Sequence, residues 1–466
     1  MTFRVSPIRL TACLALIAVG AFAQGPNPDK ATVAFGDVAP IWADARQQWP
    51  PPLAGTPADE LDAAWRTWIH AHDAAIRARV ARGDEDSIVN LWLYGTSFTR
   101  HVPVRPRDVA ASGSGSLQEI ADRRLDDLVA GLAVPGENER LRWARQVFTA
   151  RGIDPATASG RARVREALMA AGTRAVAENA AHEQVLEAPN ASTDPLAWMA
   201  RYASLYHDRG LSTDTSILSS FGIDAALGAL ASSRRLEVGS IRRAAIVGPG
   251  LDFVNKADGH DFYPAQTIQP FALVDSLIRL GLARAGELSV TTFDVSSRVN
   301  QHLDAARGLA RGGTAYVLHL PLGDAERWTP ALVRYWEHAG DRIGRPVRAA
   351  SPPPSAGAVR VRAMSIRPEV VLSVWPRDLN IVAERLDAAP GEDRFDLVVA
   401  TNVFVYYEAF EQTLAMLNIG HMLRPGGSLL TNQALQPVAP FRKAVGHEAV
   451  AYSDRQFDHL FWYQRE

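Results

Sequence analysis

The sequence predicts a mainly α-helical region followed by an α/β region built on a parallel sheet, and three observations carry that prediction. At 466 residues the chain is longer than one ordinary domain. Over residues 58–240 apolar side chains recur at helical spacing. From about Ile241 short β-branched runs alternate with amphipathic helices, the pattern of βαβ units around a parallel sheet.

The chain opens on a processing segment. Arg4 and Arg9 precede the apolar run 10–22, and Ala21-Phe22-Ala23 has the small-x-small form of a signal-peptidase site before Gln24. Residues 1–23 therefore read as a signal peptide, and the mature chain as exported, periplasmic or secreted, or as cytoplasmic if the start is misassigned. The apolar run is shorter than the ~20 residues a membrane span needs, and no later stretch is apolar and long enough either. Residues 24–57, rich in Pro, Gly, Ala and Asp, read as a linker.

Residues 58–240 read as a mainly helical domain of unknown role. Leu61, Trp65, Trp68, Ile69, Ile76 and Val80 mark a first helix, and 87–99 (SIVNLWLYGTSFT) a strand or a buried helix end. Leu117 to Leu132, Leu141 to Phe148, the alanine-rich 156–187, 195–207 and 223–236 mark further helices. In the α/β region, 241–466, strands are expected at 244–247, 288–293, 315–320, 370–375, 395–400, 428–433 and 459–464. Helices are expected at 271–282, 299–311, 328–343 and 410–423.

Composition narrows the function. The net charge is −2, with arginine supplying nearly all the positive charge and only Lys30, Lys256 and Lys443 as lysines. No basic field is present to hold nucleic acid. Cys13 is the only cysteine and lies in the leader, so the mature chain is expected to have no disulfide, thiolate nucleophile or cysteine metal site. His70 and His72 lie two apart and point to different sides of a helix, so no metal site is expected there. Ser97 with His101 lacks the elbow of a serine hydrolase.

The residues that carry chemistry lie in the second half. The strand 244–247 enters the turn Gly248-Pro249-Gly250, where glycines let the backbone bend sharply and approach a ligand closely. A nicotinamide-type fingerprint would need a glycine at 253, where Phe253 stands. Asp294 ends the next strand. Its carboxylate suits the two hydroxyls of a ribose, with capping of the following helix as the alternative. The spacing from the glycine turn is about twice the ~20 residues usual for such an acid. The excess, 251–270, is dense in polar and aromatic groups, and it leaves the glycine turn, so it is expected to cover the site. In it His260 is a candidate general base, and Tyr263 or Gln266 a group to orient it; the alternative is a surface loop with a self-capping His-Asp pair.

The most specific pattern is Phe395-Asp396 followed by a hydrophobic run, then Asn402-Val403, Tyr406-Tyr407, and Pro425-Gly426-Gly427 leading into a strand. This resembles the fourth and fifth strands of class I S-adenosylmethionine (SAM) dependent methyltransferases, and most closely the chemotaxis-receptor methyltransferase branch. The resemblance runs from Arg242 to Glu466. It implies a Rossmann-like seven-stranded αβα sandwich, SAM as cofactor and methyl transfer to an unidentified small-molecule or protein acceptor. By position it implies Gly248 and Gly250 at the methionine part, Asp294 at the ribose, Asp378 or Asn380 at the adenine edge, and Asn402 under the methyl-donor pocket. Ile246 replaces a usual acid, and Asp252 replaces a usual third glycine, where it would contact the methionine amino group or repel its carboxylate. The rival reading is an exported, non-catalytic protein that keeps the fold as a binding scaffold.

Overall fold

The computed structural model describes residues 30–42, 49–104, 114–187, 209–254, 260–323, 328–387, 394–436, 438–441, 444–454 and 456–466. The expected signal peptide, with Cys13, and the expected helix 195–207 lie outside the described residues.

The strands are β1 (Lys30–Thr32), β2 (Arg243–Val247), β3 (Ser289–Asp294), β4 (Tyr316–Gly323), β5 (Gly344–Val347), β6 (Val359–Ile366), β7 (Val374–Asp378), β8 (Glu384–Leu386), β9 (Phe395–Ala400), β10 (Leu423–Thr431), β11 (Ala444–Ala451) and β12 (Phe457–Gln464). The helices are α1 (Phe35–Trp42), α2 (Pro51–Ala54), α3 (Leu61–Tyr94), α4 (Ser114–Ala133), α5 (Glu139–Ala150), α6 (Ala158–Glu187), α7 (Ile217–Ser232), α8 (Gln269–Arg279), α9 (Ser297–Arg311), α10 (Pro330–His338), α11 (Pro368–Leu372) and α12 (Ala409–Met422).

Seven strands form one sheet in the order β11-β12-β10-β9-β2-β3-β7. Counted along the chain within the sheet, this is 3-2-1-4-5-7-6. The pairs β7·β3, β3·β2, β2·β9 and β9·β10 are parallel; β12 runs antiparallel to both its neighbours. The fold is thus a Rossmann-like αβα sandwich with its last strand reversed. Strand order reverses between β2 and β9, which opens a crevice at their carboxyl ends.

Strand alternation sends neighbouring residues to opposite faces. Ala244, Ile246, Val290, Val399 and Leu430 join one core with α7, α8, α9 and α10. Ala245, Val247, Phe293, Val398 and Leu429 join a second with α12 and with Val38, Trp65 and Ile69 of α1 and α3. The helical region is therefore not separate from the sheet: α3 covers one face of the sandwich, and α7 lies in the core of the other. Two expected boundaries are corrected. The supposed linker contains β1, which pairs antiparallel with β8, and α1, whose Val38 is fully buried. The helical domain, expected to end at 240, gives up α7 to the sandwich.

Two further elements differ from expectation, and the helix-end reading of 87–99 holds for 87–94. Residues 370–375 divide into α11 and β7, because Pro368 sits in the first helical turn, where its missing N–H costs nothing. The strand near 315–320 forms, as β4, but pairs with β6 in a separate antiparallel sheet, β4-β6-β5. Residues 87–94 are the buried end of α3; its terminal carbonyls at Trp92 and Gly95 accept from the buried Arg124 guanidinium at 2.8 and 2.5 Å.

Candidate functional site

Two glycines shape the floor of the crevice. Gly248 and Gly250 have φ of +65° and +63°. A Cβ at Gly248 would lie 2.9 Å from Val403 Cγ2, and one at Gly250 2.6 Å from the Thr213 carbonyl oxygen. Conformation and space thus both demand glycine. The Thr213 contact arises because residues 209–216 return over the glycine turn. Leu251 N–H donates to Thr213 O at 2.7 Å, and Thr215 N–H to Leu251 O at 2.9 Å. The same segment crosses α3 at Gly83, whose missing side chain lets the Leu211 backbone approach, with Leu211 N–H bonded to Arg79 O at 3.1 Å.

Three connected cavities lie along this crevice. The narrowest, about 80 Å³, is walled by Val295, Leu379, Ile381, Val403 and Tyr407, with Asp294 at its edge. The second, about 510 Å³, is lined by the hydroxyl-rich run 212–216, Gln269, Thr401, Tyr452 and Asp458. The third, about 530 Å³, lies toward α3 and α6. Asn402 and Tyr406 border all three.

Asp294 caps the start of α9 and stands at the edge of the narrow cavity. Its Oδ1 accepts from the Ser296 N–H at 2.8 Å at the start of α9, and its carboxylate also accepts from the Gly250 N–H. Burial outweighs these bonds and pushes the carboxyl up to about 7. Asn402, at the end of β9, has φ +59° and is locked to Asn432: its N–H donates to Asn432 Oδ1 at 2.8 Å, and Asn432 Nδ2 donates to its Oδ1 at 2.7 Å.

Asp378 and Asn380 do not line these cavities. Arg77 of α3 pairs with Asp378 at 2.6 Å, Glu384 at 2.9 Å and Asp73 at 3.0 Å, and Asn380 Nδ2 donates to Asp73 at 2.8 Å. The apolar Leu379 and Ile381 face the narrow cavity instead. The expectation of a polar adenine edge is corrected by this one-residue alternation.

The insert is corrected too. Its described part is largely buried between the helices and the sandwich, and residues 255–259 lie outside the described residues. Asp252 is fully buried and lines none of the three cavities; its Oδ2 accepts from the Tyr263 hydroxyl at 3.0 Å and Gln266 Nε2 at 2.9 Å. Burial pushes its carboxyl up to about 6. Tyr263 stacks on His319 at 5.5 Å, and burial raises its phenol well above the usual range. His260 is 1% exposed. Neither His260 nor Tyr263 reaches the cavities, so the general-base reading has no geometric footing. Asp261 binds Thr96 and Ser97 backbone N–H groups at 2.5 and 2.9 Å and clamps the insert to the end of α3.

Residues 212–216, Tyr452 and Asp458 were not among the candidates the sequence offered, whereas Gln269 belongs to the insert expected to cover the site. The run Ser212-Thr213-Asp214-Thr215-Ser216 carries a signal in its density of short polar side chains without apolar periodicity. Asp458 carried none, since it sits in an aromatic strand.

No protein-family model matches the chain, and no curated protein does. Among solved structures the chain is similar to TrmN from Thermus thermophilus, with 12% identity and a TM-score of 0.26 over 52% of this chain and 52% of that one. It is also similar to magnesium protoporphyrin IX methyltransferase (ChlM) from Synechocystis PCC 6803 with bound SAM, with 9% identity and a TM-score of 0.26 over 60% of this chain and 100% of that one. A third is the CcbJ methyltransferase from Streptomyces caelestis, with 17% identity and a TM-score of 0.21 over 53% and 66%. The chain thus spans about half the length of TrmN. Strand order and the reversed last strand, not these overlaps, establish the fold.

Proposed function

We propose that this protein binds SAM in the crevice and transfers its methyl group to an acceptor. The observation that carries this reading is Asp294. A buried carboxyl pushed up to about 7, at the end of the second sheet strand and beside a positive-φ glycine turn, is an acceptor that a vicinal diol would satisfy. The neighbouring walls fit in kind: Val295, Leu379, Ile381 and Val403 suit a purine, and Gly248 and Gly250, which border the same cavity, suit the amino-acid part. The Asn402-Val403 and Tyr406-Tyr407 pairs support the chemotaxis-receptor-like branch. Bound SAM would supply a methyl group activated on a sulfonium. The chain's own task is alignment of an acceptor in the 510 Å³ cavity, which by itself accounts for much of the acceleration of such transfers.

One observation favours the scaffold rival. Helix α3 occupies Asp378 and Asn380, and only about 80 Å³ is left over Asp294. Calorimetric titration of the purified chain with SAM, beside Asp294→Ala, decides between the two. Micromolar binding that falls by a factor corresponding to ~1.5–3 kcal/mol in the variant supports the enzyme. No binding to folded protein supports the scaffold. This reading also requires the working chain in the cytoplasm, where SAM is made; cell fractionation tests that against the export signal read in residues 1–23.

A further inference from the structure

The two large cavities meet at Ser212, Asn402, Tyr406 and Asp458. Asp458, near the start of β12, ends a hydrogen-bonded chain across the crest of the sheet. Its Oδ2 accepts from the Tyr452 hydroxyl at 2.9 Å, and its carboxylate also accepts from Asn432, which is doubly bonded to Asn402.

The other carboxylates on these walls are already compensated. Arg174 binds Asp86 at 2.6 Å and Glu178 at 3.2 Å, and Arg209 reaches Glu178 at 3.5 Å. Asp214 accepts from Ser87 and Asn90 at 3.1 and 2.9 Å and lies in the field of Arg298. Among the described residues no arginine or lysine pairs with Asp458; the titratable side chain beside it is His459. Three aromatic rings stand around the same space. Tyr406 and Tyr452 line the cavity, and Phe457, 64% exposed, stands at its rim. A carboxylate that no described arginine or lysine pairs, framed by aromatic faces, is the arrangement that recognises an ammonium group.

We propose that the acceptor is a small primary or secondary amine, its nitrogen held by Asp458 and its carbon skeleton set against Tyr406, Tyr452 and Phe457. This rests on the methyl-transfer reading for its donor. The resting ammonium gives a proton to the Asp458 carboxylate. The freed lone pair forms the N–C bond to the methyl carbon as the C–S bond breaks, and that electron pair stays on sulfur. The product leaves as the methylated ammonium with the demethylated cofactor, and the Asp458 proton passes to water. Burial raises Asp458 above the usual carboxylate range, which brings it nearer to an amine in proton affinity.

The test uses benzylamine and its uncharged counterpart benzyl alcohol as probes, titrated by NMR against the full chain and against Asp458→Asn. SAM affinity is measured separately by calorimetry on the same samples. Benzylamine is expected to bind at least about tenfold more tightly than the alcohol, and to lose about tenfold in Asp458→Asn while the alcohol is unchanged. Phe457→Ala, at an exposed position, is expected to weaken benzylamine as well. Equal binding of the two probes, no binding of benzylamine, or indifference to Asp458→Asn overturns the proposal. Loss of SAM binding alone overturns the donor reading and leaves the ammonium site standing.

Discussion

Asp252→Asn tests whether the insert is structural. Asp252 Oδ2 accepts both hydrogen bonds, from Tyr263 and Gln266. An asparagine keeps that geometry with its oxygen in the same place and removes the ionisation. The folded carboxyl is pushed up to about 6, so between the ordinary carboxylate range and pH 6 the folded state holds a proton that the unfolded state has lost. Stability contributed by this group is therefore present at low pH and lost as pH rises toward 6, after which it stays constant. A shift of roughly two units corresponds to on the order of 3 kcal/mol. Thermal unfolding of wild type and variant, followed from pH 4 to 7, should show the variant gaining relative to wild type up to about pH 6 and no further. SAM affinity should be unchanged, since Asp252 lines none of the cavities. A difference in Tm that stays flat with pH refutes the buried-acid argument. A variant that loses SAM returns Asp252 to the cofactor.

Gly83→Ala would press a methyl group into the Leu211 backbone. The overpacking should cost about 1–3 kcal/mol and displace residues 212–216, so that Tm, SAM binding and benzylamine binding fall together; a neutral effect would remove the crossing from the account. Arg77→Ala leaves Asp73, Asp378 and Glu384 without their shared cation and should lower stability by about 1–3 kcal/mol in denaturation. Its SAM affinity should hold or rise; a drop would place Arg77 in the cofactor site.

The sheet was legible because its strands follow the rule that a parallel sheet is buried on both faces. Ala244 to Val247 and Leu397 to Ala400 are unbroken apolar runs, and both became central strands. The glycine turn was legible for a local reason, since left-handed backbone leaves glycine as the natural residue. Elements whose form depends on distant partners were not. β6 alternates Val359 and Val361 with Arg360 and Arg362 and has no hairpin turn to β4 beside it; its pairing with β4 on one side and β5 on the other makes it a strand. β1 is three residues long, and its strand form comes from β8, more than 350 positions away.

The candidate site divides the same way. Gly248, Gly250, Asp294 and Asn402 follow from strand ends, and the structure brings them to one crevice. Asp378 and Asn380 were misplaced because polarity was read where parity decides: Leu379 and Ile381 face inward, and their polar neighbours meet α3. His260 and Tyr263 looked reactive because a polar-aromatic loop resembles a lid. Their burial depends on the helical region packing on the insert through Arg140, which donates to the Tyr263 carbonyl at 2.6 Å. The polar density of residues 212–216 was legible but their place was not, because the Gly83 crossing that sets it brings together positions more than 120 residues apart.

The central claim is that the crevice holds a nucleoside at Asp294, and a crystal structure of the chain with S-adenosylhomocysteine tests it most directly. The account predicts ribose hydroxyls on the Asp294 carboxylate, the base between Val295, Leu379 and Val403, and the amino-acid part over Gly248 and Gly250. A ligand bound elsewhere, or no ligand in the crevice at saturating concentration, would contradict it.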